Sequence, residues 1–130
     1  MEKMTRFCVL LVEMSALYMS ASATKTHEEF VKTTISNNKI TIFSKSYCPY
    51  CAHENNVFKE LNMTPYVVEI DLRDDGGEIQ QALHIFVGWR TVPKVFIDSK
   101  HIGGSDDTLD AYQSGQLAKL LVQIDEVDMR

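Results

Sequence analysis

Residues 40–51 read Ile-Thr-Ile-Phe-Ser-Lys-Ser-Tyr-Cys-Pro-Tyr-Cys, and this stretch decides the fold of the chain. Its first four residues are apolar or β-branched and include no Gly or Pro, which predicts a short buried strand over residues 40–43. A polar loop follows, and apolar residues then recur at helical spacing as far as Leu61. The pattern therefore predicts a strand, a loop and a helix, with Cys48 just ahead of the first helical turn and Cys51 inside it.

The position of Cys48 at the start of a helix has a chemical consequence. Unpaired N–H groups and the positive end of the helix dipole favour an anion there, so this thiol is expected to ionise more readily than a free one. Lys45 adds a cation three residues upstream, and Pro49 suits the first helical position, where a missing N–H costs nothing. A thiolate with a second thiol, Cys51, one helical turn away indicates a site of thiol–disulfide exchange.

Two other interpretations of this cysteine pair are half of a zinc site and a pair of structural cysteines. Zinc needs about four ligands, and the remaining candidates are scattered along the chain without ligand spacing. These candidates are Cys8, His27, His53, His84 and His101. We therefore expect redox chemistry, no metal, and histidines that are solvated or packed.

The composition is typical of a single globular domain: the chain has 130 residues, of which 45% are hydrophobic and 24% charged. A net charge of −5 disfavours a nucleic-acid partner, because phosphate binding requires a basic face. Three cysteines, two of them in one motif, are too few for a disulfide scaffold. The cysteine motif is therefore expected to react rather than to hold the fold together.

Residues 1–23 differ from the rest of the chain and predict a leader. An early pair of cations precedes an apolar run over residues 7–12, and Ala-Ser-Ala at 21–23 has the form of a signal-peptidase site. Glu13 interrupts the apolar run, which is too short to span a membrane, so no stable membrane insertion is expected. We expect cleavage near Ala23 and entry into the secretory pathway. The alternative is an uncleaved extension on a cytoplasmic protein.

Three motifs together resemble one known family. Cys-Pro-Tyr-Cys at residues 48–51 resembles the active site of a dithiol glutaredoxin, and Thr-Val-Pro at 91–93 resembles the cis-proline loop of that family. Ile-Gly-Gly-Ser-Asp-Asp at 102–107 resembles its glutathione-binding turn. The resemblance covers about residues 27–122. The chain most resembles plant glutaredoxins of the Cys-Pro-Tyr-Cys class that carry an N-terminal leader. We therefore expect residues 24–130 to form the glutaredoxin domain.

The order of the predicted elements agrees with the fold that this resemblance implies. A strand–helix–strand unit followed by a hairpin predicts an α/β, thioredoxin-like fold, in which helices flank a central four-stranded mixed sheet. Asp106 or Asp107 is the predicted N-cap of the helix after the hairpin. The first predicted helix is capped by Thr24 or Thr26 and ended by residues 37–38, and the helix after the hairpin runs from its cap to Tyr112. The other predicted helices lie at 49–61, 78–87 and 116–124, and the predicted strands at 40–43, 66–70, 95–97 and 101–103.

The resemblance implies a reaction and a set of partners. Cys48 would attack the sulfur of a glutathionylated protein, and Cys51 would be the resolving thiol that closes a Cys48–Cys51 disulfide. Glutathione would be the reducing co-substrate, the other partners being glutathionylated or disulfide-containing proteins, and the protein is expected to be a monomer. The implied glutathione contacts are Lys45, Tyr50, Gln80, Arg90, Thr91, Val92, Pro93, Gly104, Ser105, Asp106 and Asp107.

Several of these residues also have ordinary structural explanations. Lys45 and Arg90 could be surface charges, and Gln80 a solvated helix residue with Gln81 as its competitor. Asp106 could serve only as a helix cap. One departure from the family pattern is Glu54, a carboxylate about one helical turn beyond the motif, which opposes thiolate formation at Cys48.

Two further functions remain as alternatives. Some glutaredoxins bridge a [2Fe–2S] cluster between two subunits with glutathione, and others regulate a partner protein without catalysis. Within the resemblance, Pro49 disfavours the cluster carrier, and Cys-Pro-Tyr-Cys in place of a Cys-Cys motif disfavours the regulator.

Overall fold

The computed structural model describes residues 26–88 and 91–128. The leader predicted over residues 1–23 and the candidate contact Arg90 lie outside the described residues. Within the described ranges, no helix is long and apolar enough to cross a membrane.

The chain alternates helices and strands in the predicted order. The helices are α1 (26–37), α2 (Pro49–Glu60), α3 (Gly76–Val87), α4 (Ser105–Gln113) and α5 (Gln116–Asp128). The strands are β1 (Ile40–Ser44), β2 (Tyr66–Glu69), β3 (Lys94–Ile97) and β4 (Lys100–Gly103), and a 3₁₀ turn (Ile70–Leu72) follows β2.

The four strands form one mixed sheet in the order β2-β1-β3-β4. β1 pairs with β2 in parallel, whereas the β1–β3 and β3–β4 pairs are antiparallel. Alternation along β1 sends Phe43 to one face of the sheet and Ile42 to the other. Phe43 packs with apolar residues of α1 and α3, and Ile42 packs with those of α2 and α5. The predicted thioredoxin-like, four-stranded fold is therefore confirmed.

Two predicted helix starts are wrong, and contacts beyond the local sequence explain both. Helix α3 begins at Gly76 rather than at residue 78. Glycine favours a loop by propensity, but here it is required inside the helix because a Cβ would collide with the Ile70 carbonyl. Helix α4 begins at Ser105, and its N-cap is Gly104, not Asp106 or Asp107. The Asp107 carboxylate instead reaches back to accept the Gly104 N–H at 3.3 Å.

The β3–β4 hairpin turns through two residues with left-handed backbone. Asp98 and Ser99 have φ of 52° and 66°, which is the geometry of a primed two-residue turn. Such a turn matches the twist of the strands, and it brings the end of β4 back beside the start of β3. Both ends of this hairpin contribute to the site described next.

Candidate active site

The loop between β1 and α2 is fixed by a carboxylate from the 3₁₀ turn that follows the neighbouring strand β2. The Ser46 N–H donates to Asp71 Oδ1 at 2.8 Å, and the Ser46 hydroxyl donates to the same carboxylate. The Lys45 carbonyl accepts the Cys48 N–H at 3.0 Å. Both the contact to Ser46 and the nearby Lys45 cation hold the pKa of the Asp71 carboxyl below its usual range. The loop therefore presents Cys48 from an anchored backbone.

The role of Asp71 is not among the predictions from the sequence, although its place in the chain carries a signal. Asp71 follows β2, and β2 runs parallel to β1. The carboxyl ends of parallel neighbouring strands lie at the same edge of a sheet, which is where polar groups of α/β sites gather. A polar residue just after β2 could therefore be expected to meet the loop after β1.

Cys48 is the N-cap of α2, as predicted. Its backbone is extended, Pro49 occupies the first helical position, and its Sγ accepts the Cys51 N–H at 3.4 Å. The side chain is half-buried, and the first turn of the helix has no acidic residue. A sulfur that accepts a helix N–H in this position can carry negative charge or attack another sulfur.

Cys51 lies in a different environment one turn into the same helix. Its side chain is 4% exposed, and both thiols are free. Burial, with a smaller contribution from the Cys48 thiol, raises the pKa of Cys51 to about 11. Cys51 is therefore a neutral thiol at neutral pH. It is suited to attack the Cys48 sulfur once Cys48 has formed a mixed disulfide.

Eight of the predicted glutathione contacts line one open groove of about 280 Å³. The Val92–Pro93 peptide bond is cis, as expected from the resemblance. The Pro93 carbonyl oxygen lies 3.5 Å from the position that a Cβ on Gly104 would take, so the loop before β3 touches the loop after β4. The lining residues are Tyr50, Thr91, Val92, Pro93, Gly104, Ser105, Asp106 and Asp107.

Two of the other predicted contacts, Lys45 and Gln80, do not line this groove. Lys45 is half-buried beside the cysteine loop, where its charge acts on Asp71. Gln80 lies half-buried on α3. Arg90 is outside the described residues. Their roles stay predictions.

A buried carboxyl lies under the groove. Glu54 of α2 is 1% exposed, and burial raises its pKa to about 7. Hydrogen bonding with Thr108 and Ser105 opposes that rise in pKa, and the nearby Asp107 charge adds to it. Sequence analysis singled out Glu54 for its position near the cysteines, but the structure directs its side chain to the start of α4.

Two basic groups lie on the strands beside the groove. Lys94 is 2% exposed, its Nζ donates to the Thr91 carbonyl, and burial lowers its pKa. His101 packs against Phe96 with ring centroids 5.0 Å apart. Burial and then the Lys94 charge lower the pKa of His101, while the Asp107 charge raises it. Packing of this histidine agrees with the sequence analysis, whereas burial of a lysine at the start of β3 was not predicted.

No group of three or more His, Cys, Asp or Glu side chains able to hold a metal occurs in residues 26–88 and 91–128.

Comparisons with known proteins identify the family. Residues 40–102 match the glutaredoxin family model. Glutaredoxin-C4 of Arabidopsis thaliana is 62% identical over 103 residues, which are 79% of this chain and 76% of the relative. Glutaredoxin-C8 of Oryza sativa subsp. japonica is 57% identical over 113 residues, covering 85% of this chain and 83% of the relative.

A solved structure agrees with these sequence relatives. The crystal structure of a buckwheat glutaredoxin–glutathione complex superposes with a TM-score of 0.76 at 35% identity, covering 78% of this chain and 93% of the buckwheat chain. The fold, the cysteine pair at a helix start and the relatives agree with one another. The chain therefore belongs to the glutaredoxin family of thiol oxidoreductases.

Proposed function

We propose that this protein uses glutathione to reduce protein–glutathione mixed disulfides and protein disulfides, with Cys48 as nucleophile and Cys51 as resolving thiol. The observation that carries the proposal is the difference between the two thiols beside the groove. Cys48 caps a helix and is half-buried, whereas Cys51 is buried with a raised pKa. Only the capping sulfur is placed to meet an incoming disulfide.

The one-thiol route consists of two exchanges. The Cys48 thiolate attacks the glutathione sulfur of a glutathionylated protein, a Cys48–glutathione disulfide forms, and the protein leaves as a thiolate that takes up a proton. A second glutathione thiolate then attacks the bound glutathione sulfur, releasing glutathione disulfide and the Cys48 thiolate. The net reaction converts one protein–glutathione mixed disulfide and one glutathione into one protein thiol and one glutathione disulfide.

The two-thiol route serves protein disulfides. Cys48 attacks the substrate disulfide and forms a mixed disulfide with one protein sulfur. Cys51 then loses its proton and attacks Cys48, which closes the Cys48–Cys51 disulfide and frees the second protein thiol. Two glutathione molecules reopen that disulfide in turn. The Cys51 N–H donates to the Cys48 sulfur at 3.4 Å, and the two thiols are within hydrogen-bonding reach of each other, which supports a direct exchange between them.

The groove supplies groups that suit glutathione. The backbone of Val92 can pair with the cysteinyl portion as an added strand does. The first N–H groups of a helix have no intrahelical acceptor, so those of Ser105 and Asp106 are suited to the γ-glutamyl carboxylate. The Gly104 N–H is less suited, because Asp107 already accepts it. The bound ammonium would be met by Asp106 or Asp107, and the buckwheat relative was solved as a complex with glutathione.

The test compares wild type, Cys48→Ser and Cys51→Ser in the glutathione-dependent reduction of a glutathionylated peptide. We expect turnover by wild type and by Cys51→Ser, and none by Cys48→Ser. The reverse pattern in the two variants would overturn the assignment. A wild type that binds glutathione but does not turn over would overturn catalysis and would favour the regulator or the cluster carrier.

A further inference from the structure

Glu54 is a buried acid between the cysteine helix and the start of α4. Its side chain is 1% exposed, and Oε2 has no hydrogen-bond partner in the part of the chain that the structure describes. The carboxyl is within hydrogen-bonding reach of the side chains of Ser105 and Thr108. Ser105 also lines the groove. Ser105 thus lies between Glu54 and the glutathione proposed to bind in the groove.

The hydroxyl groups around Glu54 have too few protons for an ionised carboxylate. Thr108 has one hydroxyl proton, and it donates that proton to the Gly104 carbonyl at 3.0 Å. A protonated Glu54 can donate to a hydroxyl oxygen and leave this arrangement intact. An ionised Glu54 can only accept, so it must draw protons from Thr108 and Ser105.

The charged surroundings of Glu54 also bear on this equilibrium. On α4, Asp107 faces Glu54 and its negative charge favours the protonated form. Asp107 in turn interacts with His101 of β4, and His101 interacts with Lys94 of β3. On α2 itself, Cys51 lies one turn before Glu54 and is a neutral thiol at physiological pH. Among residues 26–88 and 91–128, the charged group that acts on Glu54 is thus an anion, and burial together with that anion raises the pKa of Glu54 to about 7.

We propose that Glu54 is a positioning residue that makes the binding of glutathione at the start of α4 depend on pH. The inference rests on the function proposed above. With Glu54 protonated, the Ser105 hydroxyl is free to donate to the ligand carboxylate in the groove. With Glu54 ionised, the Ser105 hydroxyl proton turns toward the buried carboxylate. The negative charge of Glu54 is then added to that of Asp107 near the ligand. Binding is tight in the first state and weak in the second.

Reciprocity gives a second consequence of the same coupling, which a separate measurement can detect. A ligand that prefers protonated Glu54 must stabilise that form, so bound glutathione raises the pKa of Glu54 above its value in the free protein. A residue that served only to pack α2 against α4 would show no such response to ligand.

The experiment titrates reduced glutathione into the full, reduced protein between about pH 6 and about pH 8 and follows backbone amide NMR signals. We expect the dissociation constant of wild type to rise by about fivefold across this range, since one pKa unit of coupling gives about tenfold only between pH values well below and well above both pKa values. Glu54→Gln should lose most of this dependence. Glu60→Gln, which removes an exposed charge from the same helix but keeps an oxygen to accept the Tyr112 hydroxyl, should behave as wild type.

The carboxyl carbon signal of Glu54 in wild type gives the decisive second readout. We expect its midpoint near pH 7 without ligand and at higher pH with saturating glutathione. A midpoint that ignores the ligand, or an equal pH dependence of binding in wild type and Glu54→Gln, overturns this inference while leaving the proposed function intact. Failure of glutathione to bind wild type at any pH overturns the proposed function itself. If Glu54→Gln does not fold, the wild-type titration still decides.

Discussion

Two helices begin beside the same groove, and the charges of their first turns differ. Helix α2 is capped by Cys48 and has no acidic residue in its first turn. Helix α4 is capped by Gly104, has Asp106 and Asp107 in its first turn, and has the buried Glu54 beneath it. Helix starts attract anions through their unpaired N–H groups. At the start of α2 the N–H groups are available to stabilise a thiolate. At the start of α4 a carboxylate of the protein itself, Asp107, already accepts one of the N–H groups.

The difference shows that a helix start does not by itself define an anion site. The neighbouring charges decide whether an incoming anion finds the N–H groups available. At α4 an acidic first turn suits a ligand that carries an ammonium as well as a carboxylate, and the γ-glutamyl end of glutathione has both. The comparison can be tested at each helix.

The largest effect is expected at α2, between its two thiols. Because the pKa of Cys51 is about 11, only about one Cys51 thiol in a thousand is ionised near pH 8. We expect iodoacetamide to modify Cys48 well before Cys51 in the reduced protein. The Cys51 rate should rise about tenfold for each unit of pH below its pKa. Peptide mass spectrometry after timed labelling at several pH values measures both rates. Equal rates at the two thiols would mean that burial does not separate them.

The next effect concerns the close packing at the start of α4. Gly103 has φ of 133°, and a Cβ there would collide with the Asp107 carboxylate. We expect Gly103→Ala to lower the free energy of unfolding by about 2–4 kcal/mol, because both backbone strain and the displaced carboxylate contribute. Chemical denaturation measures the change.

Gly77→Ala is the matched control for Gly103→Ala. Gly77 lies in the first turn of α3, and a Cβ there meets no atom within 4 Å. This variant should be as stable as wild type or up to about 1 kcal/mol more stable. A Gly103→Ala protein as stable as the Gly77→Ala protein would show that the α4 start is not tightly constrained.

The two helix starts also differ in how far the sequence predicts them. The cysteine helix is predicted correctly because its cues are local: a β-branched strand, a polar loop, and Pro49 at the first helical position. The start of α4 is misplaced, since two consecutive aspartates are good N-caps by propensity. The chain instead places Asp107 at the third position, where it accepts the Gly104 N–H. Local preference could not show which of the two arrangements the packing allows.

The part of the site that the sequence does not predict is the part made by contacts between distant segments. Eight groove residues are predicted from the sequence because they lie in motifs. The role of Asp71 is not predicted, because it depends on β1 and β2 being parallel neighbours. The position of Glu54 on the cysteine helix is predicted, but the direction of its side chain is not, because that direction follows from how α2 packs against α4. No periodicity in one helix contains that information.

A smaller effect is expected at the loop before α2. Asp71→Ala removes the acceptor of the Ser46 N–H, so the loop that presents Cys48 loses its anchor. We expect turnover of a glutathionylated peptide to fall by a few-fold, about 3 to 5, in keeping with loss of exposed hydrogen bonds. The exposed Asp74 in the following loop gives the control, since Asp74→Ala should leave turnover unchanged.

The Asp71 contact also has a defined pH dependence. The pKa of this carboxyl is lowered in the folded protein, so the contact is present at neutral pH and is lost as the pH falls through the lowered value. Turnover of wild type should therefore approach that of Asp71→Ala in acid. Equal turnover of wild type and Asp71→Ala at neutral pH would show that the loop needs no anchor.

The smallest effect tests whether the two helix starts are electrostatically separate. Glu54 lies on the same helix as Cys48, and a negative charge there opposes thiolate formation. Its side chain, however, is buried against α4, and its carboxyl is only partly ionised near pH 7. We therefore expect the alkylation rate of Cys48 in Glu54→Gln to rise by less than about twofold, because solvent screens a half-exposed sulfur. Alkylation rates against pH in wild type and variant measure this. Identical curves would remove any influence of Glu54 on the thiol, whereas a much larger shift would mean that one buried carboxyl governs both helix starts.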